Sequence, residues 1–373
     1  MTIWSDRLVK TVNALINTIN SELWSALIGA IVGLLVSVIF DDSLRELKRN
    51  MKRRYKRLFT EKNEFKSHLF TIGKTSTNFF VVDGDGLTEI KPENIECRVS
   101  NDPIQLPEEL EQLKKEIADN EALKELNGME HKWNGPLYSL VKYRNSRTEH
   151  NEDMTVLFNF HKTDYFTFQA LNMQLSRQLM SGKTIAEEYI PYNRLETLQP
   201  ILANGFGIGL VIITSDQDII FTQRTEYSGT RGSQMDISVV EGVHPHLDNN
   251  PPDLFNTAIR GAKEELGITI TRDMIKFLGY GIDLDYYQWN MIGFAEVTES
   301  AKEIQKIRSR GSSGKWENSL LINRNFKPQE VAKIIVNEDM WSTAKVAIYW
   351  TAVNQLGKND VERALNKELK KHN

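Results

Sequence analysis

Three residues in the carboxy-terminal half are placed for chemistry: Arg260, Glu264 and Glu265. Four positions separate Arg260 from Glu264, so on a helix the two share a face and can pair. Glu264 and Glu265 are adjacent carboxylates near a helix carboxy terminus, the end of the macrodipole that disfavours anions. Such a pair is poorly placed for stability unless a cation joins it. Carboxylates suit Mg²⁺ or Mn²⁺, and Mg²⁺ takes one or two of them plus substrate phosphate oxygens. A metal so held would polarise a diphosphate and activate water. The bland alternative is a solvated helix end with Lys263 nearby, the ordinary state of an exposed Glu-Glu pair.

The elements that must position these residues are legible upstream. Residues 208–214 form an apolar, β-branched strand, 215–218 a turn and 219–224 the returning strand. Gly229 and Gly232 mark a loop, 236–240 a third strand, and Glu241-Gly242 its end. A helix over 253–266 follows, with Asn250 as cap and Pro251 or Pro252 in the first turn, where a missing N–H costs nothing. Leu254, Phe255, Ala258, Ile259 and Leu266 supply its apolar face, and Gly267 stops it in a left-handed cap. The Gly205-x-Gly207-x-Gly209 cluster is no dinucleotide fingerprint, because no helix follows it.

This succession resembles the Nudix hydrolase superfamily, whose signature is G-x5-E-x7-R-E-U-x-E-E-x-G-U, with U a bulky aliphatic residue. Residues 260–268 (RGAKEELGI) match its second half. The strand-turn-strand ending in Gln223-Arg224, and Glu241-Gly242 leading into a loop, are similar too. The likeness covers about residues 195–300 and extends more loosely back to Tyr165. It implies an α/β fold, a Nudix-type α/β/α sandwich, and a Mg²⁺- or Mn²⁺-dependent attack on a nucleoside diphosphate linked to another group. It implies that Arg260, Glu264 and Glu265 are catalytic, that Glu264 and Glu265 hold the metal, and that Arg224 and Gly242 meet the ligand.

The sequence also departs from the signature. Counted back from Arg260, its glycine falls on His246 and its first glutamate on Pro252. A lengthened loop from Gly242 to Pro252 would let Gly242 and Asp253 stand in. Ala262 holds the aliphatic position. Gly261 replaces the glutamate after the arginine, which in the family is a metal ligand or general base one turn from Glu265. Glycine also costs a helix about 1 kcal/mol relative to alanine. Gly261→Glu is therefore expected to restore the cluster and firm the helix. Asp283, Asp285, Glu296 and Glu299, around a strand at 288–297, are candidates for a base from elsewhere. The run His244-Pro245-His246-Leu247-Asp248 offers alternate imidazoles and a carboxylate, but no other ligand cluster accompanies it, so a solvent-facing polar loop is the better reading.

The chain has 373 residues, net charge −4 and 26% charged residues, which point to two or three domains and away from a dedicated nucleic-acid binder. Its single cysteine, Cys97, excludes an intramolecular disulfide framework. Residues 23–40 (LWSALIGAIVGLLVSVIF) run for 18 positions without a charge. A helix of that length covers about 27 Å, close to a hydrocarbon core of roughly 30 Å. Trp24 stands at one edge, as an interfacial aromatic would. Only Arg7 and Lys10 precede the run, whereas Arg45, Lys48, Arg49, Lys52, Arg53, Arg54, Lys56 and Arg57 follow it. The asymmetry places the carboxy-terminal part in the cytoplasm, below a single-pass inner-membrane anchor. Gly29-x-x-x-Gly33, between Ser25 and Ser37, offers a small-residue face for homo-oligomerisation. Leu44, Leu47, Met51, Tyr55 and Leu58 give the basic stretch an amphipathic helical pattern suited to anionic headgroups.

The expected organisation is an extracytoplasmic terminus (1–22), the membrane helix (23–40), a basic juxtamembrane helix (41–60), an added α+β region (61–194) and the Nudix-like domain (195–373). The added region carries a strand and turn at 79–86, a charged amphipathic helix at 107–128, and strands at 156–158 and 165–168. The Gly-Lys-Thr triplets at 73–75 and 182–184 lack the glycine of a P-loop, since His68 and Arg177 hold its place. The expected function is a membrane-anchored, Mg²⁺-dependent diphosphatase, because Arg260, Glu264 and Glu265 are all kept; the alternative is a nucleotide-sensing effector that only binds. Nudix-like domains fused to membrane helices resemble effectors linked to nucleotide signalling in bacterial anti-phage systems.

Overall fold

Strand β7 (Gly207–Ile213) is buried at every position, as its unbroken apolar run requires of a strand covered on both faces. The turn after it is held by Thr214, whose Oγ1 donates to Asp216 at 2.6 Å, and Gln217 takes the left-handed conformation. Strand β8 (Asp218–Arg224) then returns, but it pairs with β7 only at Ile213↔Ile219. Beyond that pair the two strands splay, and a later segment fills the gap as a V. Its first limb, β9 (Met235–Ile237), runs antiparallel along β8, and its second limb, β10 (Val239–Gly242), runs back along β7. Ser238 forms the apex. Its hydroxyl donates to the Ile220 carbonyl at 2.5 Å and accepts from the Ile212 N–H at 2.7 Å, so one side chain satisfies both strands where the ladder changes hands. The third strand expected over 236–240 is thus two limbs, whose open end carries Asp236 on one side and Gly242 on the other.

In this computed structural model the described residues are 68–100, 102, 104–149, 152–225, 231–311 and 318–371. The uncharged run 23–40, Gly29 and Gly33 within it, and the basic stretch after it lie outside them. Among the described residues no helix is long and apolar enough to cross a membrane.

The fold is mixed α/β. A two-residue hairpin, β1 (Thr71–Ile72) and β2 (Thr75–Ser76), leads into β3 (Phe79–Gly84). The main sheet continues from β7 through β12 (Gln288–Glu296), which is parallel to it, to β11 (Ile275–Asp283) and then β3. On the other side β13 (Asn318–Asn325) borders β8. The main sheet therefore draws strands from both sides of position 194, and Ser67–Asn373 clusters as one compact unit. A smaller sheet orders β4 (Ile95–Val99), β6 (Met154–Asp164) and β5 (Pro136–Arg147). It packs Phe158 and Phe160 against Phe206 at 5.1 and 5.3 Å.

Helices α1 (Glu108–Leu126), α2 (Tyr165–Leu171) and α3 (Ile185–Tyr189) belong to the first half. Helix α4 (Leu254–Gly261) follows the V, and α5 (Ala301–Gly311), α6 (Pro328–Asn337), α7 (Ser342–Leu356) and α8 (Lys358–Leu369) close the chain. Alternation along β7 sends Val211 and Ile213 into a core with Val346, Ala347 and Trp350 of α7. It turns Leu210 and Ile212 to the opposite face, the side on which α4 packs, where Phe255 meets Phe277 of β11 at 4.8 Å.

One aromatic run reads differently in the structure. Residues 165–168, expected as a strand, form the start of α2. Asp164 caps the helix by accepting from the Thr167 N–H at 2.9 Å, and Lys114 of α1 pairs with its other oxygen at 2.6 Å. Capping and burial of Phe166 and Phe168 override the β preference of the aromatics. Burial would raise the Asp164 pKa, but Lys114 and the Thr167 amide outweigh it and hold the carboxyl below its ordinary value. Its contribution is therefore complete above the unfolded value of about 3.9 and is lost as the pH falls through the folded one. Asp164→Ala should cost about 1–2 kcal/mol at neutral pH. In urea titrations that deficit should shrink on acidification below about pH 4.

Candidate functional site

The open end of the V gathers the residues singled out by type and spacing. On the β10 limb stands Arg260, the penultimate residue of α4. Asp253 caps that helix by accepting from the Phe255 N–H at 3.0 Å. Asn250, the expected cap, instead lies in the turn with Pro251 and Pro252, ahead of the helix rather than in its first turn. The α-helix ends at Gly261 and widens into one π-helical turn, Ala262–Leu266, before Gly267 stops it at φ 78° as expected. Such turns interrupt the regular ladder and often occur at functional sites.

The Arg260 guanidinium, 15% exposed, is the hub. Its Nε and Nη2 each donate to Asp248 at 2.8 Å, a bidentate grip on a carboxylate with no exposure at all. Nη2 also donates to the Gly242 carbonyl at 2.8 Å. Nη1 meets Glu241 at 3.0 Å and Glu264 at 3.4 Å. Burial alone would lower the Arg260 pKa, but the Asp248 hydrogen bonds and the Glu241 charge outweigh it and raise it above the ordinary value. Glu265 is turned inward instead, and its Oε1 accepts from the Val240 N–H at 2.8 Å. The structure thus brings Arg260, Gly242 and Glu264 together, with Glu265 fastened to the neighbouring strand.

Asp248 is the residue the spacing argument missed, and Asp253 does not stand in. Asp253 pairs with Arg272 at the far end of α4. The usable signal was the count forward from Gly242: five residues separate it from Asp248, the G-x5-E interval of the signature with a shorter acid. The additional residues lie between Asp248 and Arg260, so counting backwards failed. The His-Pro-His-Leu-Asp run is accordingly a closed turn. Asp248 Oδ2 accepts from the His244 N–H at 2.7 Å, and His244 Nδ1 accepts from the His246 N–H at 3.1 Å. Burial, and then the Arg260 charge, push the His244 pKa down.

Gly261 corrects a second expectation. A Cβ built there would stand 2.6 Å from Val239 Cγ1 and 2.9 Å from Glu241 Cβ, distances that real Cβ atoms do not tolerate. The glycine lets α4 lie against β10, and a side chain at 261 has no room. Asp283 is likewise no base at this cluster. It is buried at the α7 amino terminus, where its Oδ2 accepts from the Thr343 N–H and hydroxyl at 3.2 and 3.1 Å. Asp285 accepts from the Asn78 amide at 2.8 Å. Glu296 ends β12 at the Ile213 end of the sheet, opposite the mouth of the V, and Glu299 follows it.

Among the described residues no group of three or more His, Cys, Asp or Glu side chains is placed to hold a metal ion. Asp248 spends both oxygens on Arg260, Glu241 and Glu264 share its Nη1, and Glu265 is bound to the backbone. As placed, these carboxylates are engaged by Arg260 and by the Val240 N–H.

Beside the β9 limb stands Arg224, at the end of β8. Its Nη1 lies 3.7 Å from Asp236 Oδ2, as does Nη1 of Arg231. Asp236 Oδ1 accepts from Trp341 Nε1 at 2.6 Å and from the Ile237 N–H at 2.9 Å. The Arg231 guanidinium lies 3.4 Å over the Trp341 ring. Burial pulls its pKa below the ordinary value, Asp236 opposes the drop, and Arg224 adds to it. Arg231 and Trp341 drew no attention in the sequence, because neither sits in a motif and 110 positions separate them.

No family model and no curated protein matches the chain. Among solved structures, a MutT/nudix family protein from Enterococcus faecalis is similar at TM-score 0.30 and 13% identity, over 44% of this chain and 67% of that one. A protein from Deinococcus radiodurans is similar at 0.28 and 13%, over 40% and 82%. A MutT protein from Methanosarcina mazei is similar at 0.25 and 11%, over 45% and 94%. MutT and Nudix proteins are thus among the structural neighbours of this mixed α/β fold.

Proposed function

We propose that the chain is a nucleotide-sensing membrane effector whose Nudix-like domain binds a phosphate-bearing nucleotide and leaves it intact. The observation that carries this reading is Gly261. The position that would complete the carboxylate cluster holds no acid and has no room for one. What remains around Arg260 is an ion-pair network, one guanidinium among the carboxylates of Asp248, Glu241 and Glu264, that shapes the mouth of the V. Gly242 opens on free space there, since an added Cβ would meet nothing within 4 Å. Arg224, at the end of β8, and Gly242, at the end of the β10 limb, are the ligand contacts in this reading, with a nucleoside diphosphate derivative as the ligand class. The uncharged run 23–40 and its basic flank support an inner-membrane anchor with these domains in the cytoplasm. Gly29 and Gly33 supply the face through which copies would associate. A role in anti-phage signalling, the setting in which such fusions are found, belongs to the same reading.

The second reading is Mg²⁺-dependent hydrolysis. It draws on Glu264, 40% exposed beside Arg260 and next to Glu265. The two readings part on turnover. The purified full-length chain, given a panel of nucleoside diphosphate derivatives with Mg²⁺, should bind at least one of them. Chromatography should recover that ligand unchanged after hours. Product accumulating beyond one equivalent per protein would establish the hydrolase instead.

A further inference from the structure

We propose that the cavity between α1 and α2 binds an uncharged, adenine-type base, whose polar edge is read by the carboxamide of Gln169. The proposal is independent of the sensing reading, because it needs no phosphate and no residue of the V.

The cavity measures about 570 Å³, inside the range of about 300–1,000 Å³ usual for small-molecule sites. Its walls come from three segments, each fixed in place. Helix α1 supplies Ile117, Asn120 and Leu123, and Lys114 of the same helix pairs with Asp164, the cap of α2, at 2.6 Å. Past α1 the chain reverses at Gly128, where φ is 65°, and Met129 returns alongside with its N–H donating to the Lys124 carbonyl at 2.9 Å. Glu121 braces this return by accepting from the Lys132 N–H at 2.7 Å. The third wall is Gln169 of α2 with Met173 of the 3₁₀ turn that follows. Asn172 anchors that turn, its side-chain amide donating to the Leu202 and Tyr286 carbonyls at 2.5 and 2.7 Å.

Gln169 stands among these largely apolar walls at 8% exposure, and its Oε1 is buried without a hydrogen-bond partner. A buried amide oxygen left unpaired is costly, and a donor brought by a ligand removes that cost. The charges beside it are already matched, since Lys124 donates to Glu121 at 2.7 Å, so the cavity favours a neutral guest. An aliphatic guest would leave Gln169 unpaired. A carboxamide presents an acceptor beside two donors, and glutamine pairs in this way with the amino group and ring nitrogen of adenine. The thioethers of Met129 and Met173 are polarisable and suit the faces of an aromatic ring. A planar base therefore meets both the apolar walls and the orphaned amide.

Titration calorimetry of the full-length chain in mild detergent tests the site with two probes, adenosine and purine riboside, which differ by the exocyclic amino group. Wild type should bind adenosine, and purine riboside about fivefold or more weakly, because it brings no donor for Gln169. Gln169→Leu, similar in size but without the amide, should weaken adenosine about tenfold and erase the difference between the two probes. Met180→Ala, 87% exposed and outside the cavity, should bind as wild type does. No adenosine binding by wild type overturns the site, as does equal affinity of wild type for the two probes, a comparison that needs no variant. Undiminished adenosine binding by folded Gln169→Leu overturns it too, because the amide would then be a buried group that meets no ligand. Adenosine binding that Gln169→Leu weakens, with no nucleoside diphosphate derivative bound, keeps the cavity site and ends the sensing proposal. Binding of a nucleoside diphosphate derivative with no adenosine binding does the reverse.

Discussion

Arg260→Met is expected to destabilise the folded unit by about 3–5 kcal/mol, the cost of breaking a buried ion pair from one side. Methionine keeps most of the length and packing of the stem, so the loss reports the charge. Asp248 would be left with no exposure, its two guanidinium donors removed and, among the described residues, only the His244 N–H donating to its carboxylate. Glu241 and the Gly242 carbonyl would lose a partner as well. The reciprocal change should be milder. In Asp248→Asn the guanidinium keeps Glu241, Glu264 and Gly242, and the amide oxygen can still accept one bond. Arg260→Lys should recover only part of the loss, because an ammonium cannot make the two parallel bonds. Denaturant midpoints measure all three. A deficit below about 1 kcal/mol would mean that Asp248 is not held by Arg260 in solution.

Gly261→Glu should destabilise the protein and confer no hydrolysis. Two terms compete. Replacing a helical glycine gains up to about 1 kcal/mol from propensity. Forcing a Cβ to within 2.6 Å of Val239 costs about 1–3 kcal/mol of overpacking, because a β-branched side chain on a paired strand has little freedom to yield. The contact term should win. Gly261→Ala isolates it, since alanine adds the same Cβ without a carboxylate, and it should also lower the denaturation midpoint. A neutral or stabilising Gly261→Ala would show that α4 can lift from β10 at no cost. Should Gly261→Glu then raise diphosphate turnover by the 10²–10⁴-fold that a positioned general base supplies, the hydrolase reading returns.

The parts of the fold written in local chemistry were readable in advance. Strands β7 and β8, helix α1 and the left-handed stop at Gly267 each follow from an apolar run, a helical period or a backbone preference. Arg260 and Glu264 were readable because a helix fixes what lies four residues apart. What escaped depends on distant partners. Nothing local says that 235–242 folds back at Ser238, because its two limbs owe their shape to the splay of two other strands. The aromatics at 165–168 became helical through a cap and a lysine from α1. Gly261 looked like a missing acid until Val239 was beside it. Arg231 acquired its meaning only when Trp341 and Asp236 surrounded it.

The V has a mechanical corollary. Its limbs are gripped by different helices. Asp236 ties the β9 limb to Trp341, which precedes α7, while Arg260 and Glu265 tie the β10 limb to α4 and the turn that follows it. The limbs share one pivot, the Ser238 apex beside the single pair Ile213↔Ile219. Limbs of three to four residues reach roughly 10–13 Å, so about 5° of rotation at the pivot displaces the mouth by roughly 1 Å. The sheet therefore acts as a pair of tongs. Drawing an object between the tips should shift α4 relative to α7 on opposite faces, and stiffening the pivot should mute that stroke without touching a single contact at the tips.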